Sequence, residues 1–440
     1  MNCKKINKML IIPFLALVAV ALPASPSLAL NVNLAAVQGV WTPPGAATPV
    51  AMWGFIEDTG SCPGAPVPWD VGPVIDVPDG DNTLTVNLRN CLSEDVSIFI
   101  PGQFKTTSPA TFTDVQGRTR VRSFDSVVAP GGGPTPYTWN NLKEGTYLYQ
   151  SGTFVAKQVP KGLYGALVVR GGTYPAAAQE EILVYSEIDP DLNNAASGAG
   201  AGARVNNYQP KYFLINGKTY PNTGNIQVNT NEDVLLRFVN AGLRTYVPTL
   251  QGLYMSVRAE DGNLLPYAFD QYQIELTAAK TVDAIVNIGP QGGRYALYDR
   301  SLHLANANQT NGGMLTFIQT PNDLPIANND IVTIPRDAPN ANINVLANDV
   351  DPDGTIVDTL LRSGTTARGA TVVVNPDDGS ITYTPEGGGG PDYFWYTVVD
   401  NMGALSSEAT VRVNRVRGGG VAAPAATTNS VSEKGRTRIR

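Results

Sequence analysis

The clearest pattern in the chain is strict alternation. Thr83-Leu84-Thr85-Val86-Asn87-Leu88-Arg89 puts Leu84, Val86 and Leu88 on one face and polar side chains on the other, the period of a half-buried strand. Residues 165–169, 181–188, 226–228, 234–239, 282–288 and 314–318 form further runs rich in apolar and β-branched side chains. Clusters of Gly, Pro, Asn and Asp separate these runs at short intervals, and no long 3.6-residue apolar period with caps arises. The pattern predicts an all-β chain built of sandwiches or barrels.

An internal repeat divides it. Residues 81–90 (DNTLTVNLRN) have the same pattern as 231–240 (NEDVLLRFVN), 150 residues later. Gly145-Thr146-Tyr147 is echoed by Gly293-Arg294-Tyr295, and Gly165-Ala166-Leu167 by Gly313-Met314-Leu315, both at an offset of 148. Two homologous β domains are expected, over 30–175 and 176–321. A third unit, 322–416, alternates short strands with acidic turns and has the texture of a small immunoglobulin-like sandwich.

The ends read differently. Lys4, Lys5 and Lys8 precede an apolar stretch from Met9 to Leu22, and Ser27-Leu28-Ala29 offers a small-x-small cleavage site, so 1–29 is predicted to be an export signal. The apolar run is short for a membrane span, and no transmembrane anchor is expected. Residues 417–440 are basic and rich in Gly, Ala and Thr, and are expected to be a disordered tail. An exported chain would act in the periplasm, outside the cell or at its surface. There an even pair of cysteines, Cys62 and Cys91, is expected to oxidise to a disulfide, with thiolate metal ligation the alternative.

The net charge is −7, and both basic segments lie at the ends, so the body is more acidic still and a nucleic-acid partner is not expected. The chain has one histidine, His303, so a histidine-based hydrolase would have to use it and a multi-histidine metal centre cannot be built. A hydrogen-bonded structural role is the expectation for His303.

The first two units resemble the cupredoxin domains of multicopper oxidases. Residues 145–169, GTYLYQSGTFVAKQVPKGLYGALVV, are similar to the family's stretch G-T-Y-W-Y-H-S-H followed by G-L-Y-G-A-L-I-V; Ser97-Ile98-Phe99-Ile100-Pro101-Gly102 resembles S-I-H-W-H-G. In the second unit, Phe213-Leu214-Ile215-Asn216-Gly217-Lys218 matches F-L-I-N-G-K. The resemblance implies a cupredoxin fold and, in active members, copper held by histidines. Here those positions hold Phe99, Pro101, Gln150 and Gly152, and Tyr246 and Gln251 stand where related second domains often have histidine. Copper is therefore not expected as a cofactor.

The third unit resembles bacterial cadherin-like repeats, through Asn344-Val345-Leu346-Ala347-Asn348-Asp349 and the segments 378–385 and 392–400. Asp349, Asp351 and Asp353 have the spacing of a calcium loop around Gly354, and calcium is the one cofactor the sequence leaves open. The alternative is an acidic turn held by its own Asx bonds. The expectation for the whole is an exported, non-catalytic, multicopper-oxidase-like protein, structural or interactive, with a protein or surface polymer as partner. An oligomer, an oxidase component completed by a ligand-bearing partner, and a calcium-stiffened adhesion module are the alternatives.

Overall fold

The computed structural model describes residues 29–45, 48–172, 175–194, 208–290 and 292–417. The predicted signal, except Ala29, and the predicted tail, except Arg417, lie outside the described residues. Ala29 opens the first strand, Ala29–Trp41, and pairs with Thr83. Strands dominate the regular structure of the described residues, beside two short α-helices, Val155–Gln158 and Pro190–Asn194, and one 3-10 turn, Val345–Asn348. No helix among the described residues is long and apolar enough to cross a membrane.

The alternating segment becomes the strand Thr83–Asn90, whose Leu84, Val86 and Leu88 are fully buried while Thr83, Thr85 and Asn87 are half-buried. It runs parallel to Ala29–Trp41 and antiparallel to Thr135–Asn140, and Val50–Glu57 closes the sheet on the other side. Facing it, Tyr164–Val169 pairs in parallel with Gly72–Val77 and antiparallel with Gly145–Gln150.

The second unit repeats this wiring. Gln179–Ile188 runs parallel to Asp233–Asn240, which pairs antiparallel with Thr281–Asn287. Opposite, Leu315–Gln319 pairs in parallel with Asn225–Gln227 and antiparallel with Arg294–Asp299. The sequence repeat is thus a repeat of topology. It reaches individual atoms at Asn90 and Asn240, the last residues of the two repeated segments. Asn90 Nδ2 donates to Glu94 O and Val128 O, and its Oδ1 accepts Leu92 N–H. Asn240 Nδ2 donates to Arg244 O and Leu276 O, and its Oδ1 accepts Gly242 N–H.

Each unit has its own apolar core, and a third cluster joins them, with Trp41, Trp69 and Tyr164 from one side and Val184, Leu214 and Val239 from the other. That junction explains why Gly145–Gln150 and Tyr164–Val169 are buried at every position: one face meets the core and the other the second unit. The third unit packs Asp330–Pro335, Ala409–Val416, Asp392–Asp400 and Ile356–Leu361 against Ala341–Ile343, Ile381–Thr384 and Thr371–Val374. Cys62 and Cys91 are bonded, with Cα atoms 5.5 Å apart, and tie the loop after Val50–Glu57 to the end of Thr83–Asn90.

Candidate functional site

Of the four positions expected to be degenerate ligand sites, Phe99, Gln150 and Gly152 lie together, and Pro101 faces a neighbouring cleft. Phe99 and Gln150 form an antiparallel bridge: Phe99 N–H donates to Gln150 O at 2.8 Å, and Gln150 N–H returns to Phe99 O at 2.9 Å. Gly152 lies beside them, its carbonyl accepting Phe124 N–H at 2.9 Å, and the Phe99 ring meets Phe124 edge-on at 5.3 Å. Pro101 lines a cleft of about 330 Å³ between the first two domains, together with Tyr147, Asp261 and Lys280.

None of these residues brings an imidazole, and Gly152 sits in close quarters. A Cβ added at Gly152 would sit 3.0 Å from Ser97 Oγ and 3.2 Å from Phe99 Cβ, tighter than ordinary contact. Behind it Ser97, Ser123 and Thr153 join their hydroxyls at 2.9–3.0 Å in a fully buried triangle. A phenyl ring, a proline, an amide and a bare backbone do not fit copper as ligands.

The second domain shows the same frame with other contents. Thr249 pairs with Tyr298 where Phe99 pairs with Gln150, and Tyr246 bridges to Leu276 where Val96 bridges to Val128. Gln251 is exposed, and its N–H donates to Ala296 O at 2.9 Å. Tyr246 is fully buried, and its hydroxyl donates to Glu187, which also takes Tyr208 OH at 2.9 Å and Leu243 N–H at 2.7 Å. Burial outweighs these bonds and raises the Glu187 carboxyl above its ordinary value.

His303 packs next to this group. Its Nδ1 lies 2.6 Å from Asp299 Oδ2, its ring stacks on Phe213 at 4.0 Å, and Tyr246 meets it edge-on at 5.7 Å. Sequence reading found His303 but not Asp299, Glu187 or Tyr208 as its surroundings; the four-residue spacing of Asp299 and His303 was the one available signal. The other acids are spoken for singly. Asp58 binds Arg89 at 2.9 Å, Glu260 binds Lys280 at 2.7 Å, and Asp189 accepts the N–H groups of Asp191 and Leu192 at the start of Pro190–Asn194.

In the third domain the three acids of the calcium-like loop divide into two groups. Asp349 accepts Asn328 N–H at 2.7 Å and meets Tyr396 OH at 3.1 Å, where Asp330 also arrives at 3.1 Å. Asp351 and Asp353 lie together instead with Asn322 and Asp400. Asp323 N–H donates to Asp353 Oδ2 at 2.9 Å, and Asn322 Nδ2 to Asp400 Oδ2 at 2.8 Å. Three oxygens in this second group, Asn322 Oδ1, Asp351 Oδ2 and Asp353 Oδ1, are buried without a hydrogen-bond partner. Burial raises the Asp351 carboxyl, and the charges of Asp400 and Asp353 add to it.

Burial, with the Asp349 charge adding to it, pushes the Asp330 carboxyl up to about 6. A carboxyl raised in the folded state contributes stability below its unfolded value near 3.8 that is lost as pH rises through about 6. The melting temperature is therefore expected to carry a component that falls between pH 4 and 6.5. Asp330→Asn should flatten that component, as thermal scans across this range will show.

Residues 70–173 and 184–322 each match a multicopper oxidase family profile, and 322–414 match a bacterial Ig domain. A search of the curated proteins gives no match. Among solved structures the chain is similar to a blue copper oxidase from Nitrosomonas europaea, at 21% identity and TM-score 0.54 over 66% of this chain and 85% of that one. The multicopper oxidase mgLAC gives 20% and 0.54, over 67% and 88%. A copper nitrite reductase from Nitrosomonas europaea gives 22% and 0.50, over 67% and 95%. These likenesses speak for the cupredoxin-type fold. The two family matches cover more than half the sequence, and on them the chain belongs to the multicopper oxidase family, with a bacterial Ig domain carried behind its two oxidase-type domains.

Proposed function

We propose that this is an exported, non-catalytic member of the family that uses its cupredoxin pair as a structural or interaction scaffold, with a protein or surface polymer as partner. The observation that carries the reading is the residue content of the locus, Phe99, Pro101, Gln150 and Gly152, with close packing at the last. Phe99 and Ser97 crowd the Cβ position of Gly152, so a side chain there meets packed atoms rather than open space. The acidic body and the lysine-led leader support export and a partner other than nucleic acid. Oxygen uptake with a phenolic substrate after copper loading tests the reading: it expects the rate of the copper blank, and a protein-dependent rate would overturn it.

A second reading concerns calcium, and the three orphaned oxygens of Asn322, Asp351 and Asp353 favour it. Buried oxygens without donors suit a hard cation, and a cation would relieve the mutual repulsion of Asp351, Asp353 and Asp400. Asp349, held by Asn328 and Tyr396, stands outside this ligand set. Binding to the folded state raises the melting temperature by linkage. Millimolar calcium should therefore raise it, a chelator should reverse the rise, and Asp351→Asn should abolish it. Identical melting in calcium and chelator would refute this reading.

A further inference from the structure

We propose that the cleft beside His303 is a binding site for a small, mainly apolar molecule that carries one O–H or N–H donor, seated with that donor on His303 Nε2. The cleft has a volume of about 270 Å³ and is lined by Pro210, Phe213, Leu302 and Ala307, with Lys211 and Asn308. It is independent of the copper locus in the first domain and of the proposed scaffold role.

The imidazole is held from three sides. Asp299, fully buried and fixed by Val247 N–H at 2.6 Å, takes the Nδ1 side of the ring. A carboxylate accepts, so Nδ1 carries the proton, and in the neutral ring Nε2 keeps the lone pair. Nε2 makes no hydrogen bond among the described residues, and the side chain is 18% exposed. Phe213 covers one ring face and Tyr246 meets the ring edge-on, so the lone pair has a fixed direction.

The remaining surface sets the class of ligand. Pro210, Phe213, Leu302, Ala305 and Ala307 supply the apolar part of the walls, and the one cationic side chain among the lining residues, Lys211, is already paired with Asp191 at 3.1 Å, which argues for an uncharged molecule over an anion. Leu302 and Ala307 both hold left-handed backbone, φ 64° and 53°, a conformation that non-glycine residues adopt at a cost. Both conformations belong to tight turns: Leu302 N–H closes a turn on Asp299 O at 3.0 Å, and Ala307 opens the two-residue loop of the Ala305–Asn306/Gln309–Thr310 hairpin, so the rim of the cleft is a built part of the fold. A partly apolar pocket with a few placed polar groups is the usual form of a small-molecule site.

His303 is the only histidine of the chain, so [15N]histidine labelling of the full protein gives one ring to follow. At pH 8 the free protein should show Nδ1 protonated and Nε2 bare. Benzyl alcohol should then shift the Nε2 signal saturably, and toluene, which lacks the donor, should bind about fivefold more weakly without that shift. Ala305 also lines the cleft, and Ala305→Leu, which puts a larger side chain into it, should remove the response to benzyl alcohol. A protonated Nε2 with bare Nδ1, no saturable shift up to the solubility limit, or the same Nε2 response to toluene would each overturn the proposal. Should Ala305→Leu fail to fold, the comparison of benzyl alcohol with toluene decides alone.

Discussion

Arg237→Met is expected to destabilise the protein by about 3–5 kcal/mol, the range for breaking a buried ion pair from one side. Arg237 and Asp283 are almost fully buried side by side. Thr146 Oγ1 donates to both Asp283 oxygens at 2.8 and 2.9 Å and accepts from Arg237 Nη1 at 2.9 Å. Arg237 Nη2 reaches Glu180 Oε2 at 2.7 Å, which Arg170 Nη1 also binds at 2.8 Å, and Arg170 grips Asp76 with two further bonds. Thr146, Arg170 and Asp76 belong to the first domain; Glu180, Arg237 and Asp283 belong to the second. The network is therefore the polar half of the junction whose apolar half is formed by Trp41, Trp69 and Leu214.

Removing the guanidinium leaves the Asp283 carboxylate buried without that cation. Burial works against the Glu180 charge, and it is Arg237 and Arg170 that hold its carboxyl below the ordinary value. Replacing both Arg237 and Asp283 by apolar residues should cost less than Arg237→Met alone, because no buried charge is then stranded. Urea unfolding of the three proteins measures this. A loss under about 1 kcal/mol for Arg237→Met would show that the network is not the constraint described.

The second large effect is expected at the paired asparagines. Asn90→Ala and Asn240→Ala should each cost about 3 kcal/mol, since each strands two carbonyls and one N–H in a buried setting. The two losses should be similar in size, because the two side chains make the same three bonds at the same place in the repeated unit. A large loss at one and none at the other, in the same unfolding assay, would mean that the repeat is one of backbone path without shared energetics.

These two networks mark the limit of what the sequence discloses. Asn90 and Asn240 were legible as the last residues of a repeated segment, and the alternation of Leu84, Val86 and Leu88 gave the strand and its buried face. That Phe99, Pro101, Gln150 and Gly152 are not histidines was legible too, because residue identity fixes it once the motif is aligned. The junction network was not. Sheet pairing inside the second domain sets Arg237 opposite Asp283 and near Glu180, and only the docking of the two domains adds Thr146 and Arg170 to them.

The acidic loop shows a different limit. Spacing groups Asp349 with Asp351 and Asp353, yet Val350 bridges to Ile326 and the chain turns there. Asp349 is left against Tyr396, while Asp351 and Asp353 go with Asn322 and Asp400. Regular spacing reports a shared face only while the backbone keeps one direction.

On the function proposed above, the multicopper oxidase framework persists here without the family's copper site. Metal analysis of the protein produced in copper-supplemented cells tests it most directly, with copper counted per chain and the visible spectrum recorded on the same sample. The account predicts copper well below one atom per chain and no blue absorption. Stoichiometric copper with a blue band would contradict it.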